Sequence, residues 1–257
     1  MTKSLLITGS SGFIGKNLLI KSRALNNFKI TALYNSNPPS IESNKEITFK
    51  KVNLLNKKEL KNIFNEFDVI IHMAGVMMTS AASKNNPFKG ITDNLQIITN
   101  ILEEIKENPP KKFIWMSSTT GYPESNNHLI EEDFFVGEVA KRYAIVGSLY
   151  RLIEKLVNKI LLNKCNLITL RPTGVFGEED DFSPDSSHVL PKIIREAYLN
   201  LLPEKIYAEK EEMRNWIYIG DLVKAIDSII DNYSGSMVLN IGSKESISMY
   251  KLHQIIL

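Results

Sequence analysis

Ser4-Leu5-Leu6-Ile7-Thr8-Gly9-Ser10-Ser11-Gly12-Phe13-Ile14-Gly15 decides how this chain begins and, with it, how the rest is organised. A short apolar run meets three glycines spaced three apart, and a helical pattern follows from Lys16 to Leu25. That order predicts strand, tight turn and helix, the arrangement that seats a phosphate at a helix N-terminus. Gly9 allows the tight turn, Gly12 lets backbone approach a pyrophosphate, and Gly15 lets helix pack closely on strand. Free N–H groups and the positive end of the helix dipole then face the anion. Ser11, Phe13 and Ile14 complete this expected cofactor-binding turn.

The same texture repeats along the chain. Lys29 to Leu33, Ile47 to Val52, Asp68 to Met73, Lys112 to Ser117 and Asn166 to Arg171 are short apolar runs suited to buried parallel strands. Helical stretches separate them: Lys57 to Phe64, Ile91 to Glu107, which Pro109-Pro110 closes off, and Arg142 to Leu162. Alternation of this kind predicts an α/β fold, a Rossmann-type doubly wound parallel sheet. Ligands in such sheets bind beyond the carboxyl ends of the strands. Gly9, Ala74-Gly75, Ser117-Ser118 and Pro172-Thr173 are therefore expected around one crevice.

After Arg171 the texture changes. Gly174 to Ser187 is polar, acidic and loop-like, and Val189 to Leu199 is helical. Asn215 to Ile219, Asp221 to Ile230 and Met237 to Ile241 follow as strand, helix and strand, and a helix opens near Ser248. We divide the chain into a dinucleotide-binding domain, 1–171, and a smaller substrate-binding region, 172–257, interleaved with the last sheet strands. The asparagine-rich patches Asn35 to Asn44 and Ser125 to Asn127 are loops. The 257 residues, 43% hydrophobic, suffice to bury a large core. A net charge of +2 with scattered lysines does not suggest nucleic acid. The single cysteine, Cys165, has no internal disulfide partner, and no apolar run approaches the roughly 18 residues of a membrane span. These features fit a soluble cytoplasmic enzyme with no membrane partner and no metal.

Seven segments carry a more specific signal: Thr8 to Gly15; His72-Met73-Ala74-Gly75; Phe113 to Pro123; Tyr143-Ala144-Ile145; Arg171-Pro172-Thr173; Ser186 to Pro191; and Arg214 to Tyr218. Together they resemble the extended short-chain dehydrogenase/reductases that act on nucleotide-activated sugars, the NAD-dependent epimerase/dehydratase family. The Ser187-His188-Val189-Leu190-Pro191 run is similar to its fucose-synthase-like branch. The resemblance implies an NAD(P)-dependent reductase or epimerase of a nucleotide-linked sugar, most simply reducing a 4-keto hexose. It implies Ser118, Tyr143 and His188 as catalytic groups. Gly9, Ser11, Gly12, Phe13, Ile14, Gly15, Asn35, Asn53, Leu54, Ala74, Gly75, Tyr143, Pro172 and Thr173 would hold the cofactor. Ser118, Thr119, Thr120, His188, Arg195 and Arg214 would face the substrate, the two arginines because guanidinium forks match phosphate oxygens. It also implies a homodimer paired through Ile91–Glu107 and Arg142–Leu162. By chemistry alone Ser118 fits a capping serine equally well, Tyr143 a core aromatic, and His188 a structural residue before a helix.

The chain departs from the family pattern at three places. A lysine four residues after the tyrosine, which favours the phenolate and holds the nicotinamide ribose, is here Gly147. Arg151 lies eight residues on, on roughly the same face, and is a weak substitute. Removing a proton from a sugar hydroxyl needs phenolate, whereas giving one to an alkoxide needs only a neutral phenol, so reduction should survive better than oxidation. A non-catalytic dinucleotide-binding sensor or scaffold is the alternative that Gly147 raises. Gly147→Lys would restore the site if space is free there, and would clash if another backbone presses on the helix. Thr120 replaces the family's cysteine base for epimerisation, and a threonine hydroxyl is too weak for that task. Gly174 replaces an asparagine that touches the sugar. Cofactor choice falls to Tyr34-Asn35-Ser36, where no carboxylate is present to select NAD or repel a 2′-phosphate, so NADP is expected, with NAD as alternative.

Overall fold

The computed structural model describes residues 2–41, 46–77, 88–125, 127–184, 186–201 and 212–256. Parts of the two asparagine-rich loops, Asp185 and Leu257 lie outside these. The strands are β1 (Lys3–Thr8), β2 (Phe28–Tyr34), β3 (Ile47–Lys51), β4 (Val69–His72), β5 (Lys112–Met116), β6 (Asn166–Pro172), β7 (Gly174–Phe176), β8 (Met213–Tyr218), β9 (Met237–Ile241) and β10 (Ser246–Ser248). The α-helices are α1 (Phe13–Lys21), α2 (Lys57–Leu60), α3 (Lys89–Ile105), α4 (Ala144–Leu161), α5 (Val189–Tyr198), α6 (Ile219–Asn232) and α7 (Met249–Ile256).

Seven strands form one parallel sheet in the order β3-β2-β1-β4-β5-β6-β9. The Rossmann-type expectation holds, and the strand order reverses between β1 and β4, which opens a crevice at their carboxyl ends. Alternate side chains of each strand enter opposite layers. Leu5, Ile7, Ile71, Ile114, Ile168 and Leu170 pack with α1 and α6 residues such as Leu18, Leu222 and Ile226. Leu6, Ile70, Phe113, Trp115 and Leu167 pack on the other face with Ile98 and Ile101 of α3 and Ile153 and Val157 of α4. A second sheet, β10-β8-β7, covers α5 and α7 through Leu190, Ile193, Met249 and Leu252. Among the described residues no helix is long and apolar enough to cross a membrane.

Several boundaries differ from the sequence expectation, each for a local reason. The first helix begins at Phe13 and ends at Lys21, not Leu25, because the Ser22 hydroxyl and Arg23 N–H turn to the Asp227 carboxylate on α6. The stretch Lys57 to Phe64 makes only one helical turn, since Asn62 adopts a left-handed backbone (φ 66°). Gly174 to Ser187 is not wholly loop: Gly174–Phe176 pairs with β8, and a Cβ at Gly174 would overlap the Trp216 ring. Ser246–Ser248 is a strand that the sequence did not announce. Tyr143 ends a short 3₁₀ turn (Lys141–Tyr143) and caps α4 instead of lying inside it.

The β1–β4 junction is fixed by one hydroxyl. Thr8 Oγ1 accepts from the N–H groups of Met73 and Ala74, both at 3.2 Å, and lies 2.7 Å from His72 Nδ1. A hydroxyl has one proton and two acceptor positions. With both acceptors used, its proton points at Nδ1, which must be the bare nitrogen of a neutral imidazole. Burial pushes His72 down to about 4 from 6.5. The unfolded chain therefore binds a proton between those values that the native protein refuses, and stability falls as pH drops through that window. We predict a loss on the order of 2 kcal/mol between pH 7 and pH 5 from this residue. Urea unfolding at both values should show that slope, and His72→Gln should remove most of it. An unchanged slope in the variant would contradict the assignment.

Candidate active site

The phosphate turn is built from backbone. Gly9 has φ +74°, and a Cβ there would lie 2.7 Å from Ala74 N. A Cβ on Gly15 would overlap the Gly9 carbonyl oxygen, so both glycines are demanded by close approach within the fold itself. Gly12 differs: it is exposed, and a Cβ there would meet only the Gly9 oxygen at 3.3 Å and then open space. No side chain caps α1 and no acidic residue stands in its first turn, which leaves its leading N–H groups for an anion. The Ser10 hydroxyl and N–H both donate to Leu33 O, at 2.8 and 3.1 Å, and tie this turn to the end of β2. These features fit the pyrophosphate of a dinucleotide.

Other expected cofactor residues surround the same end of the sheet. Asn35 is exposed just past β2. Asn53 Oδ1 accepts from Leu55 N–H at 3.0 Å, while Leu54 is buried and its carbonyl takes the Asn100 amide at 2.9 Å. Ala74 and Gly75 follow β4, where Asn94 of α3 binds both the N–H and the carbonyl of Val76. Pro172 ends β6, and Thr173 N–H donates to Ile241 O at 2.9 Å. Ser11, Phe13 and Ile14 lie partly exposed in the phosphate turn.

The segment after β5 is anchored by a buried ion pair that sequence inspection missed. Arg171 donates to both Glu154 oxygens, from Nε at 2.9 Å and Nη2 at 2.7 Å, and both side chains are almost fully buried. Its Nη1 donates to Tyr122 Oη and to Glu131 O, both at 2.9 Å, and its guanidinium lies 3.7 Å over the Phe134 ring. Ser117 Oγ donates to Glu154 Oε1 at 2.5 Å. Ser117 thus faces the protein interior, and strand alternation turns Ser118 the other way. The visible signal in sequence is only an arginine and a glutamate inside apolar runs.

Ser118 is both a cap and a crevice residue. Its Oγ accepts from Thr120 N–H at 3.2 Å and from Thr120 Oγ1 at 3.0 Å, so its own proton remains to be donated. Thr119 Oγ1 donates to Pro172 O at 3.3 Å and binds the turn to β6. Tyr143 Oη accepts from Arg214 Nη1 at 2.5 Å. His188 is exposed at the N-cap of α5, with no side-chain capping bond. Arg195, two turns further along α5, has its Nε buried without a partner among the described residues. Tyr143 and Arg214 are thus brought together, and Ser118 with Thr120; no described hydrogen bond or ion pair joins His188 or Arg195 to either group.

Gly147 has a steric explanation. A Cβ there would overlap the Thr120 carbonyl oxygen and lie 2.5 Å from Val139 Cγ1. The α4 backbone therefore packs directly on the Ser118–Gly121 turn, and the position is closed to a lysine. Arg151 cannot substitute, since its guanidinium binds the carbonyls of Gly121 (2.7 Å), Gly137 (2.6 Å) and Val136 (3.1 Å). Gly147→Ala should lose about 1–3 kcal/mol by overpacking, although alanine is the better helix former by about 1 kcal/mol. Thermal unfolding should show a lowered midpoint, and Gly147→Lys should bring no gain in rate. A Gly147→Ala protein as stable as wild type would contradict this contact.

Comparison with known proteins agrees with this architecture. The NAD dependent epimerase/dehydratase family matches residues 5–242. GDP-L-colitose synthase of Yersinia pseudotuberculosis is 25% identical over 98% of this chain and 80% of its own length. The dTDP-4-dehydro-6-deoxyglucose reductase of Escherichia coli is 29% identical over 98% of this chain and 80% of its own. Among solved structures, the UDP-N-acetylglucosamine 4-epimerase of Methanobrevibacter ruminantium, in complex with UDP-N-acetylmuramic acid, superposes with a TM-score of 0.78 at 25% identity, covering 98% of this chain and 80% of that one. With the phosphate turn, the reversed strand order and the Ser118 and Tyr143 hydroxyls, this match makes the chain a member of the NAD dependent epimerase/dehydratase family.

Proposed function

We propose that this protein is an NAD(P)-dependent reductase of a nucleotide-linked 4-keto hexose. The observation that carries the reading is the state of two hydroxyls. Ser118 has both acceptor positions filled by Thr120, and Tyr143 Oη already accepts from Arg214, so each has its proton left to give. Two such donors suit a carbonyl that becomes an alkoxide. When bound, the reduced dinucleotide supplies a hydride to the carbonyl carbon. Ser118 polarises the carbonyl oxygen by a hydrogen bond, and Tyr143 passes its proton to that oxygen as the C–H bond forms. The product is the hydroxyl sugar and the oxidised dinucleotide.

Gly12 and the uncapped start of α1 would hold the pyrophosphate, with Ala74, Gly75, Pro172 and Thr173 along the crevice. NADP is favoured because no carboxylate stands at Tyr34-Asn35-Ser36, and Lys51 lies opposite Tyr34 in the register of β2 and β3. Buried polar atoms of Thr173, Asp180, Ser187, Arg195 and Trp216 have no partner among the described residues. Each costs about 1–3 kcal/mol unless something bonds to it, so a polar substrate on this side would offset them. Arg195 and Arg214 offer guanidinium groups to its diphosphate, and His188 marks the mouth of the same region. Exposed Ile145 and Leu152 on α4 support a homodimer through α3 and α4. A lone cysteine, Cys165, goes with a cytoplasmic setting.

Incubation with NADPH and a panel of GDP- and dTDP-linked 4-keto hexoses should oxidise the dinucleotide, as followed by its absorbance. Gly12→Val should still fold, because its Cβ meets only the Gly9 carbonyl oxygen, at 3.3 Å, yet lose dinucleotide binding by calorimetry. Solvent deuterium entering beside the ketone would instead favour an epimerase. Tight dinucleotide binding with no turnover across the panel would overturn the reductase and leave the sensor.

A further inference from the structure

The position one turn beyond Tyr143 is closed by the Thr120 backbone, yet Tyr143 does not lack a cation. Arg214 reaches it from β8, with Nη1 2.5 Å from Tyr143 Oη and Nη2 2.6 Å from Glu212 Oε1. Arg142 Nη1 donates to that same Glu212 oxygen at 2.8 Å, and its guanidinium carbon lies 5.3 Å from the centre of the Tyr143 ring. Two guanidinium groups are thus fixed around one phenol by one carboxylate, which among the described residues leaves a net positive charge beside the ring. The cation that bonds to the hydroxyl comes from β8 of the second sheet, not from α4.

We propose that Arg214, held in place by Glu212, is the positioning residue that orients the Tyr143 proton and receives the charge left on its oxygen. A guanidinium donates hydrogen bonds and accepts none. Its bond to Oη therefore occupies an acceptor position and turns the phenolic O–H away from Arg214. Once Tyr143 gives that proton to the substrate oxygen, the negative charge on Oη lies against a guanidinium already in place, without reorganisation. Glu212 supplies the fixity: it engages Nη2 while Nη1 stays on the phenol. This inference rests on Tyr143 being the proton donor in the reduction.

A double-mutant cycle on the full chain tests it by single-turnover hydride transfer from NADPH to the best panel substrate. Arg214→Gln should lower the rate of the transfer at saturating substrate by about 100-fold, over and above any rise in KM from its contact with the diphosphate. Arg214→Lys should retain more rate, and free guanidinium in the buffer should restore part of the loss in Arg214→Ala. In a Tyr143→Phe background, Arg214→Gln should cost almost nothing more, because its effect runs through the missing hydroxyl. A protein that reduces no panel substrate, or a Tyr143→Phe protein as fast as wild type, overturns the reading of Tyr143 and this inference with it. An impaired Tyr143→Phe overturns the inference alone if Arg214→Gln raises only KM. The same holds if its loss persists in full in the Tyr143→Phe background.

Discussion

The carboxylate of Glu154 meeting the guanidinium of Arg171 inside the protein is the interaction on which the rest of the site depends. A buried ion pair gains little over a well-packed apolar pair, because removing both charges from water is costly. What it supplies here is placement. Glu154 belongs to α4 and Arg171 to β6, so the pair joins helix to sheet through both oxygens. Ser117 and Tyr122 bind to the same two residues from either side of the Ser118–Gly121 turn. Tyr122 continues the chain of bonds to Asn240 on β9 at 2.7 Å, and Asn240 N–H reaches Glu131 at the same distance. The segment that presents Ser118 is thereby held at both ends by side chains bonded to the buried pair.

A second constraint is backbone against backbone. Gly15 lies on the Gly9 carbonyl in the phosphate turn, and Gly147 lies on the Thr120 carbonyl behind Ser118. Each contact brings a helix closer to a turn than any side chain would permit. The first leaves an anion-binding cradle at the start of α1. The second removes the place where a lysine would stand and brings α4 against the turn whose threonine bonds to Ser118. The tyrosine then takes its positive neighbour from β8, so this cluster is assembled from elements of both sheets.

Much of this was legible in the sequence because it is local. The five apolar runs became strands of one parallel sheet, and the glycine spacing after β1 marked the phosphate turn with its helix. Ser118 and Tyr143 could be singled out only through the family resemblance, since a serine in Ser117-Ser118-Thr119-Thr120 and a tyrosine before a helix are unremarkable by themselves. What stayed hidden depends on distant partners. Arg171 and Glu154 are 17 residues apart, and Arg214 and Tyr143 are 71 apart. Nothing in either neighbourhood names the other. Gly147 was visible as a departure from the pattern, but its cause is a carbonyl oxygen contributed by another segment. The short strand β7 escaped because its three residues follow a loop-like composition, and its pairing with β8 is set by the tertiary fold.

Native-state amide hydrogen exchange on Glu154→Gln tests most directly whether the ion pair places the Ser118–Gly121 turn. Loss of the carboxylate charge leaves Arg171 buried and uncompensated, a change that costs about 3–5 kcal/mol when one partner of such a pair is removed. Protection should fall in residues 117–122 and 131–135, which hang on the pair, while β1 and β2 keep theirs because their strand partners lie away from it. Unchanged protection across 117–135, or an equal loss in every strand, would contradict the account.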